Sequence, residues 1–300
     1  MSLSAVVVIH DSRRELTALL DSIERYLPQP PQVVVVDTGS RDGGGEMARA
    51  RGAEVVGLPD NPGFGAANNA GVARARGEVT ALLNPDVELL DAGLVRLVDR
   101  LGRRDALLVP RLLEADGSIQ RSAHPVPGRL SGFIPALVHP PVLPRTLRER
   151  AEPWRAEVPR TVGWAVAACL LARTTTLRGL GPFDPEAFLF FEDLDLCLRA
   201  GSAGIPTELH PEVRVRHAGA HATSRRFGGE PHELHARRRR EVVGARLGPR
   251  ALALDDAAQA LTFATRVAAR AVLRRDASRP RAQLRALRAA RKPHPGPGCQ

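Results

Sequence analysis

Apolar residues recur along the first part of the chain in two alternating rhythms. Short, nearly unbroken runs have the length and β-branched character of strands buried on both faces: Ala5-Val6-Val7-Val8-Ile9, Val33-Val34-Val35-Val36 and Val79-Thr80-Ala81-Leu82-Leu83. Ala53 to Val56 and Ala106 to Val109 read the same way. Between them lie stretches of helical spacing. In Ser12 to Tyr26 the side chains of Leu16, Leu19, Leu20 and Ile23 fall on one face, with Leu27 just beyond. Shorter helices are predicted over Glu46 to Arg51, in the Ala-rich segment after Asn61 to Gly65, and over Ala92 to Leu101. This alternation predicts an α/β fold with a mostly parallel central sheet flanked by helices. The Asp116-Gly117 pair within Arg111 to Ser122 predicts a hairpin, and with it a sheet that turns mixed.

The rhythm breaks after residue 123. Residues 124 to 160 are rich in Pro, Arg and His, with Phe133, Ile134, Leu137 and Val138 scattered among them, and predict a long, mobile excursion suited to binding substrate or a surface, with a disordered insertion of no function as the alternative. Val162 to Leu171 reads as a buried strand, or a strand entering a short helix, and a helix is expected to begin near Glu192. Beyond Thr223 helices are predicted at His235 to Leu247 and Ala251 to Arg275. In the second, Leu254, Leu261, Ala268 and Val272 share a face while Arg266, Arg270 and Arg274 line the opposite one. The proline-rich run from Lys292 cannot continue a helix. The expected organisation is a domain over 1–225, a basic helical C-terminal extension over 226–290, and a disordered tail over 291–300.

Composition narrows the class. A hydrophobic share of 43% over 300 residues supports a real core. Cys169, Cys197 and Cys299 form no CxxC pair and no even-numbered framework, which argues against a disulfide scaffold or zinc ribbon and fits a reducing cytoplasm. The longest apolar run, Val162 to Ala172, is too short to span a bilayer, and Met1 to Ala5 lacks the basic start of a signal peptide. The net charge of +10 is concentrated: His217 to Gln300 holds 18 Lys/Arg against 6 Asp/Glu, leaving the remainder at −2. A basic C-terminal helix of this kind fits an anionic membrane surface, although Phe263 and Val267 interrupt its polar face and an ordinary packed helix explains the pattern about as well; the expected location is cytoplasmic, with a peripheral place on the inner face of the plasma membrane as the membrane reading. Lys292 is the one lysine, so an Arg-rich genome accounts for part of the basicity. No aromatic-interleaved basic motif points to nucleic acid, which is not an expected partner.

Candidate chemistry gathers at strand ends, where ligands bind in open α/β sheets. Asn84-Pro85-Asp86 follows a strand, in a position where a metal and a phosphate could meet. Gly63, Gly65, Asn68 and Asn69 combine close backbone approach with amides able to bond a sugar or base. Asp37 closes another strand and could accept bonds from a ribose, or form an Asx-type turn with Ser40. In Phe188 to Arg199 an aromatic run meets Glu192, Asp193 and Asp195, and low-dielectric surroundings can raise a carboxyl pKa into the range of a general base. A capping role at an acidic helix start is the alternative.

Taken together, VVVVDTGS, NPGFGAANNAG, LLNPDVEL, GWAVAACLLAR, GPFDPEAFLFFEDLDLCLR and VRVRHAGAHAT resemble, in order and spacing, the family 2 glycosyltransferases of the GT-A fold, and within them the rhamnosyltransferase-like group. The resemblance covers roughly residues 3 to 225. It implies a GT-A fold and an inverting transferase that moves a hexose, with rhamnose the first candidate, from a dTDP-, UDP- or GDP-linked donor to a cell-envelope glycan or lipid-linked saccharide acceptor. It implies that Asp37 holds the nucleotide, that Asn61, Gly65 and Asn68 flank nucleotide and ribose, and that Asp86 binds Mg²⁺ or Mn²⁺, with Asn84 standing where other branches carry Asp. Asp193, beside Glu192, matches the catalytic base, and His217 matches a histidine completing the metal site, with His210 and His221 as neighbours in sequence. The first strand ends Ile9-His10-Asp11 where the family usually has Tyr-Asn, so donor choice falls to side chains around Asp11 and Asp37. The second reading is a catalytically silent sugar-nucleotide-binding module, and a nucleic-acid binder is the third.

Overall fold

A computed structural model describes residues 1–138, 143–185, 189–219 and 231–292. His221, the sequence from Ala220 to Glu230 and nearly all of the expected tail lie outside the described residues. The chain divides into two compact units, Met1–His124 with Glu152–Arg226, and Pro125–Ala151 with Phe227–Gln300.

The first unit is built on one nine-stranded sheet. It contains β1 (Leu3–Ile9), α1 (Arg13–Tyr26), β2 (Gln32–Asp37), α2 (Gly44–Ala50), β3 (Glu54–Gly57), α3 (Phe64–Arg74), β4 (Val79–Leu83), β5 (Val87–Leu89), α4 (Gly93–Leu101), β6 (Leu107–Leu113) and β7 (Ala123–His124). Across the division of the chain, numbering continues with α5 (Ile134–Leu137) and α6 (Arg145–Ala151). The first unit then resumes with β8 (Arg160–Val162), β9 (Trp164–Ala165), β10 (Cys169–Arg173), α7 (Thr174–Leu180), α8 (Glu192–Ser202) and β11 (Thr207–His217). Strand order is β3-β2-β1-β4-β10-β6-β11-β5, with β8 beside β11. β1, β2, β3 and β4 are mutually parallel, as are β6 and β11. All five residues of β4 are buried, as its continuous apolar run requires of a central strand.

The sheet is mixed for a reason other than the expected hairpin. β10 enters antiparallel between β4 and β6, pairing Cys169 with Leu83 and Leu171 with Leu108. Asp116-Gly117 does make its turn, with Gly117 at φ 81° and Asp116 accepting from the Ser118 N–H, but the two arms share only the bridge of Leu113 with Ile119. α3 lies tightly on the parallel half: a Cβ on Gly71 would sit 2.3 Å from Val6 Cγ1 and 3.1 Å from Val36 Cγ2. The Ala/Asn/Gly composition of this helix is thus a packing requirement.

In the second unit α9 (His232–Val272) breaks at Gly248, whose φ of 82° and ψ of 176° leave the helical region just before Pro249, and α10 (Ser278–Ala290) packs back on it. The segment 124–160, expected as a mobile excursion, contains α5 and α6 instead, and its part from 125 to 151 belongs with these C-terminal helices. Backbone approach fixes it: a Cβ on Gly128 would lie 2.5 Å from the Ala251 carbonyl oxygen, and Ala136 and Ala151 are buried. Arg239 forks onto Asp255, both bonds at 2.8 Å, and Arg240 pairs with Asp256, which Arg291 also meets at 3.3 Å.

Candidate active site

Register brings the metal-site candidates together. β11 pairs antiparallel with β5, placing His217 opposite Val87, so residues 131 positions apart in the chain, His217 and Asp86, become neighbours. His217 Nε2 lies 3.4 Å from Asp86 Oδ1 and 3.3 Å from Asn84 Nδ2. On the other side of the ring, His217 Nδ1 lies 2.8 Å from Gln120 Oε1. With Nδ1–H donating to the Gln120 carbonyl oxygen, Nε2 accepts from the Asn84 amide N–H in the neutral ring, and it is the protonated ring whose Nε2–H donates to Asp86 Oδ1. The second oxygen of Asp86 accepts from the Gly219 N–H at 2.9 Å. Burial by itself would raise the Asp86 carboxyl, but the hydrogen bond to His217, the charge of that ring when protonated and the N–H groups of Asp86 and Gly219 outweigh it and hold the carboxyl below its usual range.

Gln120 was not singled out from the sequence, although the Asp116-Gly117 turn that delivers it was. The arm after that turn bonds through the Gln120 N–H to the Leu112 carbonyl at 2.9 Å, which sets the side chain toward His217.

The residues present suit a hard divalent cation. Asn84 Oδ1 is buried with no hydrogen-bond partner among the described residues, and it belongs to the same side-chain cluster as Asp86 Oδ1 and His217 Nε2. A buried amide oxygen left this way costs energy unless a ligand or ion meets it. Among the described residues no trio of His, Cys, Asp and Glu encloses a metal site, so Asp86 and His217 suit an ion that draws its remaining oxygens from a phosphate.

Asp193 sits on the first turn of α8. Phe190 and Phe191 precede it at φ 75° and φ 62°, an uncommon pair of left-handed non-glycine residues that ends the loop abruptly and starts the helix. The three acids then separate by role. Glu192 is buried, and Asp195 pairs with Arg199 at 2.8 Å, while Arg199 also donates to the carbonyls of Leu180, Gly181 and Pro182. The carboxylate of Asp193 accepts from the Leu194 N–H at 2.7 Å and from the Ala167 N–H. Burial pushes its pKa up to about 6, against the lowering effect of those N–H groups.

Ala167 and Ala168 connect this acid to the metal candidates. The Ala167 N–H reaches Asp193, and the Ala168 carbonyl accepts from the Asn84 N–H at 2.8 Å. Two consecutive residues leading into β10 therefore hold the base candidate and the Asn84-Pro85-Asp86 turn. Behind α8, Trp164 stacks on His124 with centroids 4.3 Å apart, and its ring lies 6.1 Å from that of Phe191.

The nucleotide candidates line the neighbouring strand ends. Asp37 Oδ1 accepts from the Ser40 N–H at 2.8 Å, forming the turn weighed from sequence, and its Oδ2 would lie 2.5 Å from a Cβ on Gly45. Asp11, at φ 49°, takes the Arg41 N–H at 2.7 Å and gives its own N–H to Ser40 Oγ at 3.1 Å, so Ser40 joins Asp11 to Asp37. Asn61, at φ 43°, accepts from the Gly63 N–H, while the nearby Leu58 N–H is tied to the Asp37 carbonyl at 2.7 Å. Gly65 is buried in the first turn of α3. Asn68 is 2% exposed and spends its amide N–H on the Phe64 carbonyl one turn back, so its side chain serves the helix. Asn69 instead clasps the backbone of Phe183, donating at 2.8 Å and accepting at 3.0 Å. A cavity lined by Arg100, Arg103, Arg104 and Glu208 lies at the N-terminal end of β6, opposite to these strand ends.

Residues 4–154 match the profile of Glycosyl transferase family 2. The chain is also 32% identical over 244 residues to the N-acetylglucosaminyl-diphospho-decaprenol L-rhamnosyltransferase of Mycobacterium tuberculosis, covering 74% of this chain and 78% of that relative. The chain is a family 2 glycosyltransferase. Among solved structures, this glycosyltransferase aligns with the mannosyltransferase PcManGT from Pyrobaculum calidifontis in complex with GDP-Man and Mn²⁺, with a TM-score of 0.56 and 16% identity over 96% of this chain and 85% of that one. It aligns with GalNAc-T7 bound to UDP, GalNAc and Mn²⁺ at a TM-score of 0.58 and 16% identity, over 81% of this chain but 47% of the longer neighbour. These likenesses establish the GT-A fold. No helix among the described residues is long and apolar enough to cross a membrane.

Proposed function

We propose that this family 2 glycosyltransferase is an inverting, metal-dependent hexosyltransferase acting on a lipid-linked saccharide of the cell envelope, with rhamnose as the sugar transferred. The observation that carries the proposal is the pair Ala167-Ala168, which ties the Asp193 carboxylate and the Asn84-Pro85-Asp86 turn to consecutive residues of one short segment. Such an arrangement anchors an acceptor-deprotonating group and a diphosphate-binding turn to the same backbone, where both can serve one reacting carbon. Rhamnose and the lipid-linked acceptor are supported by the relative that is 32% identical.

In this reading Asp37, Asp11 and the Asn61–Gly65 loop bind the nucleoside. Asp86, His217 and the Asn84 amide oxygen would hold Mg²⁺ or Mn²⁺, which when bound neutralises charge developing on the departing nucleoside diphosphate. Gln120 orients the His217 ring. Asp193 accepts the proton of the acceptor hydroxyl as that oxygen attacks the anomeric carbon from the face opposite the nucleotide, which inverts the configuration. Its raised pKa of about 6 leaves it ionised at neutral pH yet basic enough to take the proton.

The test is a thermal-shift screen against UDP, dTDP and GDP with and without Mn²⁺, followed by transfer from the responding nucleotide sugar to a polyprenyl-diphosphate-linked acceptor. One nucleotide should stabilise the protein only with metal, by about 2.7 kcal/mol at a hundredfold excess over its Kd, and Asp86→Ala should abolish the response. Donor binding without transfer, together with no consequence of Asp193→Asn for any measured activity, would make the protein a silent sugar-nucleotide-binding module.

A further inference from the structure

The end of α9 and the turn into α10 stand apart from the rest of these two helices in what they expose. Upstream in α9, Leu254 and Leu261 are half-buried, so much of the expected apolar face is occupied in packing. From Ala268 to Asp276 every residue is exposed. Val272 is 83% exposed and Leu273 61%, two of the most exposed large apolar side chains among the described residues. They sit at a turn that is itself well made: Leu273 N–H bonds to the Ala269 carbonyl, Arg275 N–H to the Arg270 carbonyl, Arg274 takes φ 51°, and Asp276 accepts from Ser278. An ordered turn that holds adjacent aliphatic side chains outward has a cost in water that its own packing does not recover.

Charge decides what covers it. Between Ala264 and Arg281 six arginines face a single acid, Asp276, a local net of +5. Arg270, Arg274 and Arg275 adjoin Val272 and Leu273, and all three are exposed. Aliphatic residues at an apex with a cationic collar complement a bilayer of anionic lipids: the collar meets headgroup charge and the aliphatic residues enter the acyl boundary. A phosphate backbone would use the collar but give the aliphatic pair nothing. A second copy of this chain would have to meet the same +5 charge with its own.

We propose that the α9–α10 turn is a membrane-docking tip in which Val272 and Leu273 insert into an anionic bilayer and the surrounding arginines bind its headgroups. The inference deepens the proposed action on a lipid-linked acceptor, because a docked enzyme meets such an acceptor at the surface where it resides. It differs from a basic helix lying flat on the membrane, since along α9 the large aliphatic side chains that are exposed are those of its tip.

The test is co-sedimentation of the full-length protein with sugar-free vesicles, either pure phosphatidylcholine or phosphatidylcholine with about a third phosphatidylglycerol, without donor or acceptor. Wild type should bind the anionic vesicles and not the neutral ones. Val272→Ser with Leu273→Ser should weaken binding about tenfold or more, as expected for withholding two aliphatic side chains from the acyl boundary, while leaving the metal-dependent nucleotide thermal shift unchanged. Arg274→Gln with Arg275→Gln should also weaken it, by about tenfold at low salt.

Absence of wild-type binding would overturn the proposal, as would binding that the serine pair leaves intact, which is electrostatic adsorption alone. Preferential binding to duplex DNA, or a concentration-dependent dimer in sedimentation that the serine pair dissolves, would overturn it in favour of those partners. Because vesicle binding is read without sugar, its loss leaves the transferase reading standing, and an inactive transferase that still docks leaves the tip standing.

Discussion

Asp193 carries two opposed demands in one side chain. Burial raises its pKa from 3.8 to about 6, so between those values the folded protein holds a proton that the unfolded chain has released. Stability contributed by this group therefore falls as pH rises from about 4 through 6, by about 3 kcal/mol at most and less because the residue as a whole is half-buried. Asp193→Asn should accordingly melt at a higher temperature than wild type at pH 7.5 and show no such advantage at pH 4, followed by circular dichroism. The same substitution should lower transfer by about 10²- to 10⁴-fold, and the wild-type rate should climb with pH through about 6. Gln120 works through another residue. Gln120→Leu removes the acceptor of the His217 Nδ1–H and should weaken Mn²⁺ binding by about 10- to 100-fold, measured as free Mn²⁺ by electron paramagnetic resonance, with the fold intact.

At the scale of elements, close packing explains sequence choices that look chemical. α3 holds Asn68, Asn69 and Gly71, yet Asn68 bonds within its own turn, Asn69 clasps Phe183, and Gly71 lets the helix touch β1 and β2. Gly71→Ala places a Cβ against Val6 and Val36 and should cost about 1–3 kcal/mol, read as a lowered urea midpoint at unchanged m-value. α8 follows the same logic with different chemistry. Asp195 and Arg199 secure the 180–182 turn to the helix, which leaves Asp193 as the acid of the first turn that the Ala167-Ala168 segment joins to the Asn84-Pro85-Asp86 turn.

For the whole molecule, the two units divide the charge. The second holds 19 of the 42 arginines but only 7 of the 33 acids, and several of its arginines are structural, above all Arg239 on the buried Asp255. Asp255→Ala strips the partner from that fork and should destabilise the protein by about 3–5 kcal/mol, seen as an early unfolding transition in calorimetry. Tip arginines such as Arg274 are exposed, and their removal should leave the melting temperature within about a degree, since surface charges contribute about 0–1 kcal/mol.

How much of this was legible depended on the range of the forces involved. Strands β1, β2 and β4, helix α1, the start of α8 and the Gly248-Pro249 break follow from local periodicity and backbone restrictions that the sequence carries within a few residues. The family followed because six short motifs kept their order. Tertiary structure alone decided that β10 runs antiparallel between β4 and β6, that Gln120 meets His217, and that 125–151 packs with the C-terminal helices. Each of these joins residues far apart in the chain, by strand register or by one backbone approaching another, and periodicity along a single segment holds no information about the partner it will meet.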